Sequence, residues 1–142
     1  MAAIEVDQFL AQPPDRVWRA LTDPALLARW LMPNDFQPVP GHRFTFRTDP
    51  VPEHGFDGIV HCQVLDLDPP RLVRFSWRTA RLDTTVTWRL AAEGAGTRLF
   101  IRHEGFADGD PAQTATMRIL GRGWRGHLGR RLDALLSEEA PG

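Results

Sequence analysis

The stretch LVRFSWRTARLDTTVTWRLAAEGAGTRLFIRHEGF, residues 72–106, decides the fold. Within it apolar side chains return at every second position: Val73, Phe75 and Trp77, then Val86, Trp88 and Leu90, then Leu99 and Ile101, with His103 next on the same face. A period of two is that of a strand with one face buried. It predicts strands over 72–77, 82–90 and 97–106, and Glu93-Gly94-Ala95-Gly96 is only long enough to turn the chain back on itself. Strands joined so tightly are antiparallel neighbours.

Outward from this core the pattern continues. Residues 56–68 form a long run rich in β-branched residues, closed by Pro69-Pro70, and Phe44 and Phe46 alternate with Arg43, Thr45 and Arg47 in an earlier strand. Irregular, Pro-rich segments flank that strand at 35–41 and 49–55. The chain opens on a further alternation, Ile4 and Val6 against Glu5 and Asp7, ending at Gln12. Two short helices follow. Pro13-Pro14-Asp15 starts one carrying Val17, Trp18 and Leu21, and Thr22-Asp23-Pro24 starts another carrying Leu26, Leu27, Trp30 and Leu31, which Pro33 stops. Downstream, Asp108-Gly109-Asp110-Pro111 opens a long amphipathic helix with Met117, Leu120, Trp124, Leu128, Leu132 and Leu135 at helical spacing. The expected architecture is α+β: a curved antiparallel sheet of about six to seven strands around a long C-terminal helix, with two short helices after the first strand. No repeat, linker or low-complexity tract divides residues 1–142, which read as a single domain.

Composition narrows the chemistry. The chain has 142 residues, 42% hydrophobic and 25% charged, the balance of one that buries a core of its own without metal or disulfide staples. Its net charge is −1 and its basic residues are interleaved with acids, which argues against nucleic acid as a partner. All 17 basic residues are Arg, so Schiff-base chemistry on a lysine is excluded, and the absence of Tyr removes a phenolic acid or base. Cys62 is the sole cysteine, which forbids an internal disulfide and suits a reducing, cytoplasmic setting. No basic region followed by an apolar run opens the sequence, and no apolar run approaches the ~18 residues of a spanning helix.

Four ordered landmarks carry a resemblance over nearly the whole chain. They are PDRVWRALTDP at 14–24 with Trp30, VLDLDPPRLVRFSW at 64–77, GTRL with RHEGF across 96–106, and Gly123-Trp124 in the last helix. Together they resemble the activator of heat-shock-protein ATPase homology family, within the START-like or SRPBCC superfamily. The resemblance implies a helix-grip fold, in which the sheet grips the C-terminal helix around a cavity, but no single chemistry. Where the family often shows paired glycines before the third strand, this sequence has Pro40-Gly41-His42.

The individual motifs point the same way. Gly121-Arg122-Gly123-Trp124-Arg125-Gly126 has dinucleotide-fingerprint spacing, but it lies inside a helix and lacks the preceding strand the fingerprint needs. The helix glycines at 121, 123, 126 and 129 mark either close approach of the sheet to the helix backbone, the plainer reading, or a bend that opens the cavity. None of His42, His54, His61, His103 and His127 forms a pair at metal-binding spacing, and no metal or other cofactor is expected. Ser76 and Ser137 lie outside any nucleophile elbow, and Cys62 has no neighbouring base. Trp77, Trp88 and Trp124 with Phe75 face one another across sheet and helix; such residues are first of all core, and also what an apolar ligand would stack on.

From these readings the chain is expected to bind a small apolar or aromatic molecule between sheet and C-terminal helix. The candidate contacts are His103 and His61 as polar groups, the aromatics Trp77, Trp88, Trp124 and Phe75, and Met117, Leu120 and Met32 at the mouth. A core histidine held by one partner is the ordinary outcome for His103; a group that orients a ligand or moves a proton is the functional one. Two alternatives stand beside ligand binding: a module that docks on a chaperone or other protein through outer-face positions such as Arg74, Arg89 and Arg98, and a cyclase- or hydrolase-like enzyme with a histidine as acid or base. Monomer and homodimer are both compatible with the sequence.

Overall fold

The computed structural model describes residues 2–139, without the side chains of Ala2, His54, Leu128 and Glu139. Strand β1 (Ala2–Leu10) leads through helices α1 (Pro14–Thr22) and α2 (Pro24–Trp30) to β2 (Arg43–Arg47), β3 (Ile59–Asp68), β4 (Leu72–Arg78), β5 (Asp83–Glu93) and β6 (Gly96–Phe106). The six strands form one antiparallel sheet in the order β1-β6-β5-β4-β3-β2. Consecutive strands from β2 onward are neighbours, and β1 closes the far side against β6 with Val6 opposite Ile101. The helices α1 and α2 therefore carry the chain from one edge of the sheet to the other.

The short helices start where the sequence places their caps. Proline stands in the first turn of each, and the Asp23 carboxylate accepts the Ala25 N–H at 3.0 Å. Trp30 binds the pair together by donating its indole N–H to the Ala20 carbonyl at 2.9 Å. Strand β3 begins at Ile59, later than the apolar run suggests. Phe56 makes only a bridge to Val51, and Asp57-Gly58 turns the chain, with Gly58 at φ +86° and the Asp57 carboxylate accepting the Ile59 N–H. A Cβ on Gly58 would stand 2.5 Å from the Thr48 carbonyl oxygen, so only glycine fits there. An irregularity between Val64 and Asp66 leaves Leu65 on the surface and returns Leu67 to the side of Val73.

Helix α3 (Pro111–Gly126) runs without a break into a π-helical segment (His127–Leu132) and then α4 (Asp133–Glu139). Its Trp124, with Leu132, Leu135 and Leu136 beyond it, packs on the inner face of the sheet, burying apolar area that supplies most of the folding drive. His127 Nδ1–H donates to the Trp30 carbonyl at 2.9 Å, and Arg29 pairs with Glu138, so the end of the helix is fastened to α2. The side chain of Leu128, expected on the same stripe, lies outside the described residues. The helix glycines do not mark close approach to the sheet. A Cβ at Gly123 would meet nothing within 4 Å, and at Gly121 it would make ordinary contact with Ile4 at 3.8 Å. Only Gly129 falls in the segment where the helix widens to π geometry; Gly121, Gly123 and Gly126 precede it in α3.

The outer face of the sheet is a lattice of ion pairs. Arg98 joins Asp7 and Glu93, Arg102 joins Glu5 and Glu104, and Arg74 joins Asp66. Arg89 lies over the Phe100 ring at 4.2 Å.

Candidate functional site

The inner face carries two neighbouring regions, one filled and one open. The filled region is aromatic. Phe75 packs on Trp88 with ring centres 4.9 Å apart, Trp88 on Trp30 at 5.7 Å, and Trp124 on Trp77 at 5.7 Å. His103 is fully buried among Trp77, Phe106 and Trp124. Trp124 donates its indole N–H to His103 Nδ1 at 3.2 Å, and Thr84 Oγ1 lies 2.7 Å from Nε2. Because the Thr84 hydroxyl donates to the Trp77 carbonyl at 3.0 Å, the proton between histidine and threonine belongs to His103 Nε2. Both ring nitrogens are thus spent inside the protein, and burial pushes the His103 pKa down from 6.5 to about 3. A neutral, enclosed imidazole with both nitrogens bonded orders the core; it is not poised to take a proton from a ligand.

The open region lies beyond this cluster, where the first turns of α3 pass over the ends of β3, β4 and β5. Here a cavity of about 700 Å³ is lined by Val51, Phe56, Val60, Trp77, Leu82, Ile119 and Leu120, with Thr79, Arg81, Asp110, Gln113 and Thr116 as its polar groups. That volume falls in the ~300–1,000 Å³ range of small-molecule sites. Local sequence explains the opening. Positions 112, 115, 116, 119 and 120 share one face of α3, and the early ones are Ala112, Ala115 and Thr116, too small to reach the sheet. The helix start is nevertheless held firmly. Asp110 caps it by accepting the N–H groups of Ala112 and Gln113, while Gln113 donates to the Arg81 carbonyl at 3.2 Å and accepts the Ala107 N–H at 2.6 Å.

Of the residues singled out from sequence, Trp77 and Leu120 line this cavity. His103, Trp88, Trp124 and Phe75 lie in the filled region behind Trp77. Met117 and Met32 are half-buried and pack against the core without lining the cavity. His61 is on the opposite face of the sheet, beside Thr45 and Arg78, in a shallow depression with Asp35, Arg43 and Gln63. Cys62 points inward from the same strand, and burial raises its thiol pKa, the Asp35 carboxylate adding to the effect. Sequence reasoning passed over Phe56, Leu82, Arg81, Gln113, Thr116 and Ile119. The available signal was the run of small residues Ala112, Ala115 and Thr116 ahead of the bulky stripe. No group of His, Cys, Asp and Glu among the described residues is arranged to hold a metal ion, and no helix is long and apolar enough to cross a membrane.

Comparison with known proteins fits this architecture. The family described as "Activator of Hsp90 ATPase homolog 1-like protein" matches residues 11–137. Among solved structures, protein MLL2253 from Mesorhizobium loti is 31% identical, with 99% of this chain and 100% of that one covered at a TM-score of 0.87. Protein BH1534 from Bacillus halodurans is 27% identical over 96% of this chain and 97% of its own, with a TM-score of 0.81. The Aha1 dimer from Colwellia psychrerythraea shares the fold at a TM-score of 0.80 and 19% identity, over 99% of this chain and 100% of that one. No curated protein matches the sequence.

Proposed function

The chain belongs to the Activator of Hsp90 ATPase homolog 1-like family, and from that footing we propose that it is a binding protein that takes a small apolar or aromatic molecule into the cavity beneath the start of α3. One observation carries the reading: about 700 Å³ of space walled by Phe56, Trp77, Leu82 and Leu120, directly between helix and sheet. Trp77 is the contact we assign to the ligand, with Leu120 across from it on α3. His103 acts one layer back, holding Trp124 and, through Thr84, the Trp77 backbone. In this reading the chain acts as one START-like domain in the cytoplasm, where the buried Cys62 stays a thiol. The protein-partner alternative draws on the family and not on the outer face, whose arginines at 74 and 98 are already paired with carboxylates and at 89 with Phe100.

The test is an NMR titration with a panel of lipids, aromatic acids and fused aromatic rings, following the five tryptophan indole N–H signals. Saturable shifts centred on Trp77, with Trp30 unmoved, are expected. If no indole signal moves, or Trp30 moves as far as Trp77, the cavity is not the binding site and capture of protein partners becomes the better experiment.

A further inference from the structure

Resting on the cavity reading, we propose that the ligand is an amphiphile ending in a single carboxylate, and that Arg81 receives that group at the cavity rim. The backbone around Arg81 is pinned. Thr79 N–H donates to the Leu82 carbonyl at 3.0 Å, and the Arg81 carbonyl accepts from Gln113 of α3. The side chain lies across Gly55 on the opposite lip, where a Cβ would come within 3.3 Å of Arg81 Nε. Its guanidinium therefore sits at the entrance, between the loop before β3 and the β4–β5 turn.

What distinguishes Arg81 is its place together with its charge balance: among the described residues it is the only basic one lining the cavity. Arg71, Arg74, Arg78, Arg98 and Arg102 each hold a carboxylate, whereas among the described residues the Arg81 guanidinium has none. The acid on the same wall, Asp110, turns its Oδ1 to the first N–H groups of α3. A planar guanidinium matches a carboxylate in two parallel hydrogen bonds. With Asp110 on the same wall the rim carries no net charge, so the gain comes from these two hydrogen bonds and a second negative charge on the head adds little. The rest of the lining is mostly apolar, with Val51, Phe56, Val60, Trp77, Leu82 and Leu120, so the remainder of the molecule is hydrocarbon or aromatic.

The experiment compares decanoate, 1-decanol and decyl phosphate at pH 7.5, below micellar concentrations, on the wild-type protein and R81Q, reading the Trp77 indole N–H. Decanoate is expected to bind about fivefold more tightly than 1-decanol, the scale of a solvent-exposed ion pair, and R81Q to abolish that difference while leaving 1-decanol unchanged. Equal affinities for decanoate and 1-decanol in the wild type, or a preference that survives in R81Q, overturns the role of Arg81 while the cavity reading stands. Tighter binding of decyl phosphate than of decanoate overturns the single-charge assignment. If none of the three binds while a member of the aromatic panel still shifts Trp77, this proposal falls and the cavity reading stands; if nothing in either set shifts Trp77, both fall.

Discussion

Trp124 and His103 meet through one hydrogen bond, indole N–H to Nδ1 at 3.2 Å, and that bond decides the protonation of the imidazole. The proton must sit on Nε2, where it goes to Thr84, whose own hydroxyl proton goes to the Trp77 carbonyl. A relay running from helix to sheet is fully satisfied at every step, and a buried polar network is favourable only in that condition. Removing a member should be costly. His103→Ala is expected to lower stability by roughly 2–4 kcal/mol, from the void and the stranded indole N–H, and Trp124→Phe to strand Nδ1 and cost no less than about 1 kcal/mol. Urea denaturation followed by circular dichroism measures both; a His103→Ala protein as stable as wild type would show that the relay does not order the core.

The same histidine sets a pH dependence. Its folded pKa, about 3, lies below the 6.5 of the exposed group, so below pH 6.5 the unfolded chain binds a proton that the folded one refuses. Stability from this source is complete above about pH 6.5 and is lost as pH falls toward 3, at about 1.4 kcal/mol per pH unit once the unfolded imidazole is fully protonated. His127, pushed down by burial and by Arg131 nearby, contributes with the same sign. Denaturation midpoints at pH 7.5, 6 and 5 should decline in wild type and decline less in His103→Asn. An imidazole NMR signal of His103 that titrates near pH 6.5 would contradict the enclosure.

Gly123 offers a gain. A Cβ there meets nothing within 4 Å, and the residue lies inside α3. Gly123→Ala should therefore stabilise the protein by about 0.5–1 kcal/mol, the helix-propensity difference, read as a rise in denaturation midpoint with an unchanged slope. Gly58→Ala, with its clash against the Thr48 carbonyl and its φ of +86°, should move the midpoint the other way.

Cys62 should be silent. Its thiol is buried and its pKa is raised, so the reactive thiolate is scarce at neutral pH. Ellman's reagent is expected to react with less than one-tenth of the thiol on the native protein over an hour at pH 8, and with all of it in denaturant. Rapid reaction of the native protein would mean that the sheet opens locally at β3.

These expectations also mark where the sequence speaks and where it stops. The alternation around Trp77, Trp88 and Leu99 is a direct record of the inner face, because a strand has one way to bury every second side chain. The site is less legible. An aromatic residue facing the helix is written the same way whether its ring meets another ring, as Trp88 meets Phe75, or meets open space, as Trp77 does on one side. That difference comes from how far α3 stands from the sheet at Ala112 and Ala115, where the Gln113 side chain holds the Arg81 carbonyl, a contact between segments far apart in sequence. The widening of the last helix at His127–Leu132 was equally silent, since a π turn has no residue pattern of its own.

The position of β1 has a consequence in time. Of the six described strands it is made first, and it pairs along its length with β6, the last of the six. Strands β2 to β6 can zip up as successive hairpins while β1 waits, and for that interval β6 presents an open row of N–H and C=O groups that any other strand could adopt. Gly96 shows how close the final closure is: a Cβ there would stand 2.5 Å from the Leu10 carbonyl oxygen. The protein's exposure to misassembly is thus greatest between the synthesis of Phe106 and the return of its own N-terminal strand, and a side chain at position 96 would prolong it.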